Sequence, residues 1–533
     1  MKHVVVVGGG VSGLVTAYRL RQLGVRVTVL EQSDRLGGKL RTVDLDGVPT
    51  DVGAEAFVLR DPAAAELVAE LGLDVVHPER ASATIHAGGA TVSLPRRTFL
   101  GVPAGPDAVR DVLSADGVAR VAAEASLPRL ALAPDEDVSV GELLTDRMGR
   151  EVVDHLVEPL LAGVYAGRAD GLGLRATMPA LVKALDETGS LTAAADSLLP
   201  STPGTPKPIF GAVRGGMRAL VDELAKQSGA EIRLGTTVRR LERPEGHPQG
   251  TERPKGAPQG IERLEGAPQD TGRLEGALQD TGRLEGALQG IAGLEGAPQS
   301  FEGLEGALQG IERPKGAPQG MWRVEVGAAT SPGVLFADAV VLAVPAPAAR
   351  RLLDGVVPAA AAAYAGIALG SMAVVSMVLP DDVVLPESSG VLLAVGERHR
   401  DGSPFTAKAF TYTSRKWGGE RVRLRASVGR VGEEHLLRRE EDALLAEVLA
   451  DLAELSGVDT KPVAWTVTKW GGGLPQYGVG HAAAVAEIER AVADVPGLAV
   501  AGAVFRGVGI PACVRAATAA AERVAGSMRS WPA

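Results

Sequence analysis

Val4-Val5-Val6-Val7-Gly8-Gly9-Gly10-Val11-Ser12-Gly13-Leu14, near the start of a 533-residue chain, runs an apolar strand directly into a Gly8-x-Gly10-x-x-Gly13 turn. Leu14 to Leu23 continue at helical spacing, and Val25 to Leu30 make a second apolar strand that ends on Glu31, 23 residues after Gly8. Strand, glycine turn, helix, strand and acid, in that order, make a complete βαβ unit. Gly8 permits the tight turn, Gly10 lets backbone approach a pyrophosphate, and Gly13 lets helix and strand pack closely. Phosphates would then lie at the helix N-terminus, against its partial positive charge. Glu31 is placed for ribose hydroxyls and would repel a 2′-phosphate, which excludes NADP and leaves NAD or FAD.

Two further glycine turns follow. Arg35-Leu36-Gly37-Gly38-Lys39 begins four residues after Glu31, and Asp51-Val52-Gly53-Ala54-Glu55-Ala56-Phe57 comes next. At the other end of the chain, Gly497-Leu-Ala-Val-Ala-Gly502-Ala-Val-Phe-Arg-Gly507-Val-Gly509-Ile510-Pro511 leads into an alanine-rich helical stretch, Val514 to Val524. A second helix N-terminus beside a glycine loop suits an electron-rich flavin pyrimidine. Cys513 lies in this segment with no histidine near it in sequence, so it reads as small apolar packing. The arginine–glycine–glycine segment resembles that of the flavin-dependent amine oxidase superfamily, where it continues along the dinucleotide toward the isoalloxazine. The resemblance implies FAD.

Composition bounds the rest. With 65 acidic and 55 basic residues the net charge is -10, so nothing suggests a nucleic-acid surface. A single cysteine excludes an internal disulfide framework and multi-cysteine metal sites. The N-terminus lacks the features of a secretory signal, and the most apolar run, about Gly366 to Pro380, is too short for a membrane span. A soluble, cytoplasmic protein is expected. The segment Arg120 to Pro128 has few large apolar residues and no dense basic face, so it gives only weak support for contact with a membrane surface.

From Leu241 to Gly320 the chain repeats every ten residues, eight times, as in Thr251-Glu-Arg-Pro-Lys-Gly-Ala-Pro-Gln-Gly260. Glycine and proline fill 25 of those 80 positions (17 Gly and 8 Pro), and too little apolar surface is present to offset backbone entropy. A flexible insertion with no fold of its own is expected. The flanks, Glu231 to Leu241 and Met321 to Val326, alternate as strands do and read as a hairpin whose loop the repeat has enlarged. The remaining 453 residues carry the function.

Several motifs in order resemble one family, the oxygen-dependent protoporphyrinogen and coproporphyrinogen III oxidases of haem biosynthesis. They are the N-terminal fingerprint, Glu158-Pro159-Leu-Leu-Ala-Gly163-Val-Tyr165-Ala-Gly167, Phe210-Gly-Ala-Val-Arg-Gly215-Gly216-Met217, and Phe410-Thr-Tyr-Thr-Ser-Arg415-Lys416-Trp417. Leu474-Pro475-Gln476-Tyr477-x-x-Gly480-His481 and the Gly507 to Cys513 run complete the set. Two departures stand out: the decad repeat, and Ala512 where the pattern usually carries an acid. The likeness implies an FAD enzyme that takes hydride from a porphyrinogen to flavin N5, passes electrons to O2 and releases H2O2, three rounds giving the porphyrin. The cofactor carries the difficult step, so no side chain is assigned a catalytic role and no metal is expected.

The resemblance implies cofactor contacts at Gly8, Gly10, Gly13, Glu31, Arg35, Gly38, Lys39, Gly53, Glu55, Val238, Trp417, Gly502, Gly509 and Ile510. Arg96, Arg97, Arg214, Arg415 and Lys416 are candidates for substrate propionates, with Arg96, Arg214 and Lys416 foremost, because guanidinium and ammonium groups pair with carboxylate. His481 reads as a structural hydrogen-bonding residue rather than a base. The expected fold is α/β: a discontinuous Rossmann-like FAD-binding domain (1–90, 205–240, 321–345 and 480–533), a helical subdomain (91–204), a mixed α+β substrate domain (346–479), and the repeat (241–320). Coproporphyrinogen III is the preferred substrate, with protoporphyrinogen IX the alternative. An amine oxidase or carotenoid desaturase on the same scaffold is a further alternative, as is an interaction protein built on the repeat. Other haem-pathway enzymes are possible partners.

Overall fold

Five parallel strands form a central sheet in the computed structural model, which describes residues 1–79, 82–200, 208–243, 320–328 and 331–529. Their order is Glu231–Arg233, Arg26–Leu30, His3–Val7, Ala339–Leu342, Leu498–Val500. The apolar runs read from the sequence are the inner strands, and their side chains alternate between two cores as strand geometry requires. Val4 and Val6 pack with Ala17 and Leu20 of helix Val11–Gln22 and with Ala520, Ala521 and Val524 of helix Ile510–Arg529. Val5 and Val7 face the other way, against Trp322, Val324, Leu352 and Ile488. That side carries the antiparallel sheet Val238–Glu242, Trp322–Ala328, Ser331–Ala337 and three helices, Ala346–Leu353, Pro358–Ala365 and His481–Ala493.

A second large sheet has seven strands, in the order Ala464–Pro475, Leu369–Val378, Arg423–Val428, Ala407–Thr411, Gly390–Leu393, Thr84–Ala87, Ala90–Ser93. All neighbours are antiparallel except Thr84–Ala87 against Gly390–Leu393. Helix Glu441–Ser456 supplies Leu444, Val448 and Leu452 to its core. Helices between Ala115 and Ser197 pack around Leu144, Met148, Leu156, Leu161 and Leu181. Within this part, Arg150 to Tyr165 is one helical run with a widened π turn at Val153–Val157.

Three details differ from the sequence reading. Glu231 to Leu241 is two strands, because the chain turns at Gly235 (φ +62°), whose N–H donates to the Ser33 carbonyl while Thr236 N–H donates to that of Glu31. Glu231–Arg233 thus joins the parallel sheet, and only Val238–Glu242 pairs antiparallel with Trp322–Ala328, Glu242 opposite Arg323. Thr84–Ala87, grouped by sequence with the nucleotide-binding segment, hydrogen-bonds instead into the seven-stranded sheet. The third concerns Arg120 to Pro128, where the helix Ala115–Glu124 turns Glu124 fully into the interior.

Residues Met1–Pro244 and Met321–Ala533 make up one compact unit. Of the expected flexible decad insertion, 241–320, residues 244–319 lie outside the described residues, and Leu241 and Glu242 belong to the strand Val238–Glu242. Among the described residues no helix is long and apolar enough to cross a membrane.

Candidate cofactor site

Each glycine of the first turn meets a different constraint. Gly8 has φ +106°, a conformation that favours glycine, and a Cβ there would strike the Ala343 carbonyl. A Cβ on Gly13 would overlap the Gly8 carbonyl oxygen, so only glycine lets the helix sit this close to the strand end. Gly10 caps helix Val11–Gln22 with φ -75°, and a Cβ there would meet nothing within 4 Å. Its missing side chain leaves open space at a positive helix end.

The second turn lies directly on the first. Gly37 N–H donates to the Gly9 carbonyl at 2.9 Å, and Gly38 stands against the Gly10 Cα. Glu31 accepts from Gly9 N–H at 2.7 Å and from both the N–H and hydroxyl of Ser33 at 2.8 Å, which fixes the acid beside the loop. Arg35 points its guanidinium at the Leu36 and Gly38 carbonyls. The Lys39 ammonium has no hydrogen-bond or ion-pair partner among the described residues, although its carbonyl accepts from Ala54 N–H at 3.1 Å, and burial lowers its pKa. An ammonium held in a half-buried position without a protein acceptor is a natural contact for an anionic ligand.

Gly53 cannot carry a side chain without striking the Lys39 carbonyl, and its own carbonyl accepts from Arg425 at 2.9 Å. Glu55, 7% exposed, gathers Lys416 at 2.7 Å and Arg425 at 3.2 Å. Burial pushes its pKa up, but Arg425 and Lys416, with help from the Trp417 side chain, outweigh this and hold it at about 2. Asp51 behaves oppositely: burial drives it to about 6 against the pull of Thr42 and the Met217 N–H, with Glu55 adding to the rise. Lys416 also lies 5.0 Å from the Trp417 ring and 5.3 Å from that of Phe210.

The C-terminal loop completes the cluster. Gly502 (φ +134°) has open space where a Cβ would stand, and Gly509 and Ile510 lead into helix Ile510–Arg529. Cys513 is buried, with its thiol toward Ser12 and burial raising its pKa, so it packs the two helix starts together as a protonated thiol. Lys39 lies within electrostatic reach of it. The segments 8–13, 37–39 and 502–513 therefore meet.

The remaining expected residues have the following surroundings. Val238 is buried in the core opposite Val326. Arg214 is exposed and pairs with Asp74 at 3.2 Å, while Arg97 pairs with Asp196. Arg415 donates to the Leu385 carbonyl at 2.7 Å, and Lys416 is spent on Glu55. Arg96 is exposed with no ion-pair partner among the described residues. His481, 6% exposed, donates its Nε2 proton to the Val504 carbonyl at 2.9 Å. Sequence reasoning passed over Arg425, and also Trp470, whose indole N–H donates to the Val52 carbonyl at 2.9 Å beside Gly53. Neither lies in a motif; only the pairing of distant strands brings them here.

A nucleotide-bearing group fits these residues: two glycines leave room, two helix starts converge, and Lys39 awaits an anion. Comparison with known proteins agrees. The model of the flavin containing amine oxidoreductases matches residues 11–253 and 313–525, leaving most of the decad segment unmatched. A coproporphyrinogen III oxidase of Mycobacterium leprae is 36% identical over 532 residues, covering 97% of each chain, and one from Mycobacterium tuberculosis H37Rv is 37% identical, covering 97% of this chain and 96% of its own. Among solved structures, an Exiguobacterium sp. protein provisionally assigned as a protoporphyrinogen oxidase superposes with TM-score 0.73 at 26% identity, covering 98% of each chain. With its glycine turns in place and both halves of the family pattern matched, this chain belongs to the flavin containing amine oxidoreductases.

Proposed function

We propose that the protein is an FAD-dependent coproporphyrinogen III oxidase of haem biosynthesis, acting in the cytoplasm and using O2. The overall change would be coproporphyrinogen III + 3 O2 → coproporphyrin III + 3 H2O2. The observation that carries the cofactor reading is the open space at Gly10, against which Gly38 stands, together with the neighbouring Lys39 ammonium, unpartnered among the described residues. When bound, FAD would supply the two-electron acceptor for hydrogen leaving the methylene bridges, with O2 taking the electrons onward.

The chain's own part is to bind and orient. Gly8 and Gly13 shape the turn, and Gly10 lets the diphosphate approach the helix start. Glu31 sits where ribose hydroxyls would be, and Lys39 neutralises anionic charge. Arg35, Gly38, Gly53, Val238, Gly509 and Ile510 contribute main-chain and packing contacts. Glu55 and Trp417 brace the cofactor side through Lys416 and Arg425. Arg96 is the cation best placed to stay free for a propionate. Arg214 keeps that role only by leaving Asp74. We extend the proposal to the architecture: a Rossmann-like FAD-binding part, a helical part and a substrate part, with the first break before Thr84 rather than at 90.

The coproporphyrinogen III assignment rests on the mycobacterial relatives, and the Exiguobacterium protein keeps protoporphyrinogen IX as the second reading. The test is a visible spectrum of the purified protein, with flavin bands expected at about 375 and 450 nm, followed by fluorescence assays with both porphyrinogens. A colourless protein that takes up no added FAD defeats the cofactor reading. Equal or faster turnover of protoporphyrinogen IX defeats the substrate choice.

A further inference from the structure

The loop Gly502–Gly509 has no regular secondary structure, and two aromatic side chains from a different part of the chain hold it. Tyr477, 1% exposed, donates its hydroxyl proton to the Ala503 carbonyl at 2.7 Å and accepts from Gly507 N–H at 2.9 Å. His481 stacks on the Tyr477 ring, centroids 4.0 Å apart and planes 16° off parallel, and its Nε2 meets the Val504 carbonyl at 2.9 Å. A carbonyl can only accept, so Nε2 carries the proton. Burial favours the neutral ring. Three main-chain groups of the loop, the Ala503 and Val504 carbonyls and the Gly507 N–H, are thereby tied to one stacked pair.

The pair is itself anchored. Gln476 donates to the Tyr165 carbonyl at 2.7 Å, Tyr165 lies tilted against Tyr477 at 5.3 Å, and Gly173 N–H donates to the Tyr477 carbonyl at 2.7 Å. The clamp therefore joins the helical part of the molecule to the C-terminal loop. None of these groups reaches the open space at Gly502, so the pair acts through the loop.

We infer that Tyr477 and His481 are positioning residues that fix the Gly502–Gly509 main chain against the flavin, setting how tightly it binds and how readily it is reduced. The inference rests on the FAD reading above. Removing the Tyr477 hydroxyl takes the partner from a part-buried carbonyl and a part-buried N–H, and the loop moves to re-satisfy them. Main-chain dipoles facing a redox group set its potential, so a displaced loop alters that potential as well as affinity.

The experiment compares wild type and Tyr477→Phe, which keeps the ring and its stack. FAD affinity of the deflavinated protein is measured by fluorescence titration, the reduction potential by dye-linked spectroscopic titration, and the melting temperature of the apoprotein in parallel. The expected result is FAD binding about tenfold weaker, a displaced potential and a changed flavin absorption envelope, with apoprotein melting close to wild type. Unchanged affinity and potential in Tyr477→Phe overturn the inference. If Tyr477→Phe does not fold, His481→Ala and His481→Gln decide: a weakened, shifted flavin in the alanine variant and partial recovery in the glutamine variant support it, and two variants alike in affinity and potential overturn it. Wild-type protein that binds no FAD instead defeats the reading beneath it.

Discussion

Gly10 and Gly13 stand three residues apart in one turn, yet the structure makes opposite demands of them. A Cβ on Gly13 has the Gly8 carbonyl in its way, so Gly13→Ala should cost about 3 kcal/mol in urea unfolding. Gly10 has ordinary φ and open space, so Gly10→Ala should leave unfolding unchanged within about 0.5 kcal/mol while weakening FAD binding. Equal effects on stability would remove the distinction. The two acids of the next turn also diverge. Asp51 is raised from 3.8 to about 6, so its contribution is fully present below pH about 4 and is lost as pH rises through about 6. Glu55 is lowered from 4.5 to about 2, so its contribution is present above pH about 4.5 and is lost as pH falls toward 2. Each is worth about 3 kcal/mol at its limit. Unfolding curves against pH should show wild type losing ground to Asp51→Asn between pH 4 and 6, and losing its lead over Glu55→Gln below pH 4.5. Curves that run parallel to wild type throughout would contradict both. The glycine positions were legible in the sequence because each constraint is local to the turn. The Lys416 ion pair was not legible, because its partner, Glu55, lies 361 residues away.

At the scale of elements, helical spacing and apolar runs located the strands and helices well where one face decides the matter. They failed where long-range pairing decides. The alternation across Glu231 to Leu241 is real, but Gly235 breaks it so that its two halves serve different sheets. The segment Arg120 to Pro128, whose sequence supports membrane contact only weakly, holds one acid, and the structure uses it as an internal joint. Glu124 accepts from Arg147 at 2.7 Å, from the Ser190 hydroxyl at 2.7 Å, and from Leu191 and Thr192 N–H at 2.9 and 3.1 Å. Burial opposes its charge, but these donors hold its pKa at about 2. It thus ties helix Ala115–Glu124 to Val140–Met148 and to the start of Leu191–Ser197. Glu124→Leu strands Arg147 and two amides, and should cost about 3–5 kcal/mol by denaturant unfolding, with far-ultraviolet dichroism reporting lost helix. A loss under 1 kcal/mol would mean the joint carries little.

For the whole molecule, the flanks of the decad segment matter more than its content. Val238–Glu242 and Trp322–Ala328 pair antiparallel, with a register shift between Val238 and Arg240 and Glu242 opposite Arg323, so the chain ends that the segment connects already sit across a ladder. Replacing residues 244–319 by a short glycine-containing turn should therefore leave the melting temperature within a few degrees and flavin content unchanged, since closure entropy changes by about 0.6 kcal/mol per doubling of length. Loss of bound flavin in the shortened protein would give the segment a role in the site. The order of the motifs along the chain was legible from the sequence. Their meeting point was not, because Arg425, Trp470 and Tyr477 reach it from the seven-stranded sheet and the segment after it.

The central sheet takes its strands from residues 3–7, 26–30, 231–233, 339–342 and 498–500. A ribosome adding about 5–20 residues per second exposes the first valine strand tens of seconds before its outermost neighbour is made, and helix Ile510–Arg529, which packs on Val4 and Val6 of that strand, emerges later still. Nascent chains thus spend most of their synthesis with a sticky half-sheet uncovered, a burden that falls on chaperones. If residues 502–513 help hold the flavin as proposed, its loading has to wait until they have emerged.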